Sequence, residues 1–163
     1  MIFVRHGRAV VQPDVPTHEW PLDAAHIGAI AELRTVLPEL PVVCSDMRRA
    51  IETARFFGEP TVDPRLAEVS RPWTNDDLEA SITRYFLGEP LDGWEPQADA
   101  RARIEAEVGE YGRAIYVTHG TVLSLSLSSI VPALNAMRFW TDLTNPDAWQ
   151  VDGDRLVRLS PGD

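Results

Sequence analysis

The chain has 163 residues, 44% of them hydrophobic, with a single cysteine and a formal charge of -10. That length predicts one domain over 1–163 with one large core, and the acidic balance excludes general nucleic-acid binding, which needs a basic face. All fifteen basic residues are arginines, which excludes lysine chemistry such as a Schiff base.

No apolar run is long enough to span a bilayer, and the amino terminus lacks the basic-then-apolar layout of a signal peptide. A cytoplasmic protein without a membrane partner is the expectation. Cys44, in the run Pro41-Val42-Val43-Cys44, reads as a core thiol. A protein this acidic that handles anions must gather its cations in one local pocket.

In chain order, Ile2-Phe3-Val4 is a short apolar run and predicts a buried strand. Val10 to Trp20, with Pro13 and Pro16, reads as a loop. Asp23 can cap a helix with Ile27, Ile30, Leu33 and Leu37 on one face, stopped by Pro38. Val42-Val43 is the next strand. Met47, Ala50, Ile51, Ala54 and Phe57 then recur at helical spacing behind a Ser45 or Asp46 cap, with Gly58 as the stop.

A brief strand near Thr61-Val62 precedes the loop with Glu68. Two helices follow, one on Leu78, Ile82 and Phe86, the other on Ile104, Val108 and Tyr111, separated by the turn-rich stretch Gly88 to Pro96. Ala114 to Val117 is a further strand. Leu123 to Ser128 alternates with period two, as a strand would, but a helix there suits a strand-turn-helix unit on a parallel sheet. Pro132 is expected to open a short helix, and Asp152-Gly153 to turn a hairpin between 149–151 and 156–159. The alternation predicts an α/β fold of three layers: a mostly parallel central sheet flanked by helices, with C-terminal hairpin strands.

Two strands run directly into histidines, at Arg5-His6-Gly7 and at Thr118-His119-Gly120. In open α/β sheets ligands bind beyond the carboxyl ends of the strands, so two histidines and an arginine converge there. Either tripeptide alone is weak, since a lone histidine is usually structural. His18 and His26 have no partner at metal-ligand spacing, so no metal site is expected. Trp20, Trp73 and Trp94 read as core or lid packing ahead of substrate stacking.

The ordered set Val4-Arg5-His6-Gly7, Trp20-Pro21-Leu22 with Gly28, Ser45-Asp46-Met47-Arg48-Arg49-Ala50 with Thr53-Ala54, Leu66-Ala67-Glu68 and Val117-Thr118-His119-Gly120 resembles the histidine phosphatase superfamily, of phosphoglycerate-mutase-like fold. The match runs from Ile2 to about Gly120. The resemblance implies that His6 is the nucleophile that becomes phosphohistidine, and that Arg5, Arg49 and His119 complete the phosphate pocket. Arginine forks suit this task because they bind phosphoryl oxygens through paired donors and stay cationic at any working pH.

The resemblance also makes Glu68 the candidate general acid. An ordinary surface carboxylate, or a partner of Arg65 or Arg71, is the competing reading. Gly7, Arg8, Gly120 and Thr121 are candidate substrate-binding positions, Thr121 through its backbone amide at a helix start. Arg8 is as readily a solvated arginine, and Arg48 should face outward, since adjacent helix residues do not share a face.

After Glu68 the sequence Val69-Ser70-Arg71-Pro72-Trp73 lacks the glycine-rich continuation of the mutases in this superfamily, and the segment to Arg113 is short. A short helical cap at about 70–112 would retain a released intermediate poorly, which favours hydrolysis over transfer back. The expected activity is therefore a metal-independent phosphomonoesterase on a small phosphorylated metabolite, needing no cofactor and working as a monomer or homodimer. A protein phosphohistidine phosphatase, a mutase and a non-catalytic phosphate-binding module are the alternatives.

Overall fold

The computed structural model describes residues 1–73 and 77–161. A six-stranded sheet runs in the order β3-β2-β4-β1-β5-β6. Its strands are β1 (Ile2–Arg5), β2 (Val42–Cys44), β3 (Pro60–Val62), β4 (Ile115–Thr118), β5 (Asp147–Asp152) and β6 (Arg155–Arg158). The first four pair in parallel, and β5 and β6 add an antiparallel hairpin beside β1. Gly153, at a φ of 61°, turns that hairpin in the left-handed region.

Strand alternation divides the core in two. Ile2, Val4, Val42, Cys44, Ile115 and Val117 face α1 (Ile27–Arg34) and α2 (Arg48–Ala54). Phe3, Val43, Tyr116 and Val151 face the opposite layer of α3 (Leu78–Phe86), α4 (Gln97–Tyr111), α5 (Gly120–Ile130) and α6 (Ala136–Asp142). The layered α/β expectation holds. Cys44 is fully buried, which pushes its thiol up to about 12 and leaves it unreactive.

Some expectations need correction. Asp23 caps a single 3-10 turn, Ala24–His26, ahead of α1, and Ile27 is exposed; only Ile30, Leu33 and Leu37 reach the core. Helix α2 starts after Met47, while the Ser45 hydroxyl accepts from the Met47 amide at 3.1 Å. Pro132 does not open a helix. Helix α6 begins four residues later, because the Asn135 side chain accepts from the Arg138 amide and supplies the cap. Of the expected cap, 74–76 lie outside the described residues; α3 and α4 pack into the main core, and Ser70, Arg71 and Trp73 line the cavity described below.

Candidate active site

The carboxyl ends of β1 and β4 place His6 and His119 side by side, with ring centroids 4.9 Å apart. His6 is almost buried and His119 fully so. Their proton positions follow from their partners. His6 Nδ1 lies 2.6 Å from the Gly7 carbonyl oxygen, which can only accept, so Nδ1 carries the proton. His6 Nε2 is left as a lone pair, and the Arg49 Nε–H donates to it at 3.0 Å.

At His119 the polarity is reversed. The Arg49 guanidinium donates to Nδ1 at 3.2 Å, so Nε2 carries the proton and donates to the Ser45 hydroxyl oxygen at 2.9 Å. Both imidazoles are neutral. Burial first, and the Arg49 charge second, hold each well below the ordinary histidine range.

Arg49 reaches this position from the first turn of α2. It also donates to the Thr17 carbonyl at 2.6 Å. Arg5 lies on the other side, donating to the Leu143 carbonyl at 3.0 Å, with its buried Nε unpartnered among the described residues. Gly120 permits that placement: a Cβ there would stand 3.2 Å from the Arg5 Cζ.

Gly7 answers a packing demand, because a Cβ would sit 2.6 Å from the Ile30 Cδ1. Its amide donates to the Thr53 hydroxyl at 3.0 Å, not into the cavity. His6 is fixed further by Asn145, whose amide donates to the His6 carbonyl at 2.9 Å.

Glu68 is brought to the site in a form the sequence did not reveal. One carboxylate oxygen accepts from the Val69 and Val122 amides, each at 2.9 Å, and the other from the Thr121 amide at 3.0 Å. Glu68 thus closes the amino terminus of α5, where a negative charge is favoured. The Thr121 amide, expected to meet phosphate, is occupied by this carboxylate. Arg65 is not the partner of Glu68; it pairs with Asp63 and Glu110. Arg8 is not brought to the site either: it is exposed beside Asp23 and His26. Arg48 faces outward onto Glu52, as helix geometry required.

A cavity of about 470 Å³ opens beside Arg49 and Glu68. Its walls include Trp20, Trp73, Arg71 and Asp46. In the sequence Arg71 offers only a partner for Glu68, and nothing in its spacing singles out a cavity position. Among the described residues no three His, Cys, Asp or Glu side chains gather as a metal-binding group, and no helix is long and apolar enough to cross a membrane.

No protein-family model matches the sequence, and no curated protein matches it. Solved structures do. TTHB049 from Thermus thermophilus is 26% identical with a TM-score of 0.75, over 98% of this chain and 97% of that one. A phosphoglycerate mutase from the same organism is 24% identical with a TM-score of 0.74, over 98% and 97%. The alpha-ribazole phosphatase from Shigella flexneri is 21% identical with a TM-score of 0.66, over 99% and 96%. The chain shares the fold of these solved structures, a phosphoglycerate mutase and an alpha-ribazole phosphatase among them.

Proposed function

We propose that the protein is a phosphomonoesterase that works through a phosphohistidine on His6, acts on a small phosphorylated metabolite in the cytoplasm, and needs no metal. The observation that carries this reading is the pair of bonds on His6: Nδ1–H held by the Gly7 carbonyl, and the Nε2 lone pair directed at the Arg49 guanidinium. An imidazole held in this tautomer is a nucleophile whose attacking atom is already next to the cation that receives phosphate. The similarity to an alpha-ribazole phosphatase agrees with a small-molecule ester as substrate.

In the proposed reaction the phosphate takes the Arg49 donors that now rest on His6 and His119, with Arg5 as a second fork. His6 Nε2 attacks phosphorus, and the bond to the ester oxygen breaks. One Glu68 oxygen leaves the amides of α5, takes up a proton from solvent and delivers it to that ester oxygen. Water activated by the resulting carboxylate then attacks phosphorus; the P–N bond breaks, releasing phosphate and neutral His6. His119 enters with both ring nitrogens engaged, so it acts first by holding Arg49 through Nδ1; to donate to a phosphoryl oxygen it must take up a proton on Nδ1 or turn its Nε2–H away from Ser45.

Incubation with 4-nitrophenyl phosphate at mildly acidic pH, followed by a rapid alkaline quench and mass analysis, tests this. The expected result is nitrophenolate release that persists with chelator present and a phosphorylated peptide containing His6, both lost in His6→Ala. Release that is equal in His6→Ala, or abolished by chelator, sinks the reading.

A further inference from the structure

Phosphoryl transfer at His6 leaves one cation of the cavity without a task. Arg71 lines the cavity with Arg49 and Glu68, its guanidinium 5.5 Å from the centroid of the Trp94 ring. Its Nε is buried and has no hydrogen-bond partner among the described residues. Burial pulls the Arg71 guanidinium below its ordinary value, and Arg71 in turn acts on Arg49 as a like charge. Glu68 opposes the burial effect on Arg71, but its carboxylate is committed to three backbone amides.

Desolvating a guanidinium next to a like charge is costly, and stacking on one indole offsets only part of that cost. An anion in the cavity would offset the rest. Trp20 and Trp73 supply aromatic lining to the same cavity: they meet edge to face at 4.6 Å and 86°, and the Trp20 Nε1–H is anchored on the carbonyls of Gln12 and Val15, each at 2.9 Å. A volume of about 470 Å³ is in the range that takes a small molecule rather than a phosphoryl group alone.

We propose that Arg71 determines specificity by binding a second anionic group of the substrate, so that the preferred ester is a phosphomonoester whose leaving alcohol carries a carboxylate or similar anion on a planar or apolar spacer lying along Trp20 and Trp73. This rests on the reading of Arg5, His6 and Arg49 as the phosphoryl pocket. The test is calorimetric titration of the His6→Ala protein with 4-carboxyphenyl phosphate and with phenyl phosphate. The expected result is about ten-fold tighter binding of the carboxylate, as one charge-assisted contact supplies. That preference collapses to about one in His6→Ala/Arg71→Gln and is partly kept in His6→Ala/Arg71→Lys.

Equal affinity for the two esters in His6→Ala, or a preference that survives both Arg71 changes, overturns the proposal. Turnover plays no part in the measurement. A wild-type protein that shows the preference but hydrolyses neither ester sinks the phosphatase reading and leaves the Arg71 subsite standing.

Discussion

At His6, a buried imidazole has to stay neutral to attack, and the two largest effects that keep it so are desolvation and the adjacent Arg49 charge, with a smaller one from Arg5. Both lower its pKa, so the nucleophile survives into acid and the acidic limb of kcat/KM falls below the ordinary histidine range. Arg49→Met removes one of the two effects and a phosphate fork. The limb should move upward in pH while kcat/KM at the optimum drops by about 100-fold, the order expected for loss of a preorganised charge donor. Rate profiles from about pH 4 to pH 8 check both, and a limb that stays in place after a large drop in rate would detach Arg49 from the titration of His6. These residues were legible in the sequence because strand ends and motif order set their place. Glu68 was legible through its motif, without its partners, and Arg71 only as a residue type. Which partner a long charged side chain reaches depends on neighbours distant in sequence, here the α5 amides for Glu68 and Trp94 for Arg71.

Helix α5 shows how an element resolves a conflict between local pattern and packing. Its Leu-Ser alternation has the period of a strand, yet all of Leu123, Leu125 and Leu127 are buried, with Ser124 and Ser126 between them. A helix can be buried on every side only if its polar groups find partners, and here Ser124 and Ser126 donate to the Gly120 and Val122 carbonyls, each at 2.8 Å. The same element leaves its first amides for Glu68. Glu68→Gln keeps one acceptor but loses the charge at the helix terminus, so stability should fall by about 1 kcal/mol in thermal melts. Kinetics separate this capping task from acid catalysis. If Glu68 also delivers the proton, Glu68→Gln slows alkyl phosphates at least about ten-fold more than 4-nitrophenyl phosphate, because nitrophenolate leaves without a proton. Equal slowing on both would confine Glu68 to the cap.

Over the whole molecule, stability and pH are tied by groups that titrate in opposite senses. His6 and His119 have lowered pKa values, so the unfolded chain binds more protons below the ordinary histidine value and acidification destabilises the fold. Glu107 acts in the other direction. It projects from α4, is fully buried, and has no partner on either carboxyl oxygen among the described residues. Burial first, then Asp63, pushes it up to about 8 against the pull of Arg65 and Arg103. Here the folded chain holds a proton that the unfolded chain has released. The associated stability is complete below the ordinary glutamate value, declines as pH rises, and is gone above about 8. Glu107→Met removes both the titration and the orphaned oxygens while keeping a similar volume. The variant should be more stable than the wild type by about 1–3 kcal/mol near pH 8, with a smaller gain near pH 5. Urea unfolding at the two pH values measures it, and a variant less stable at both would mean that the Glu107 carboxyl holds a partner the fold depends on.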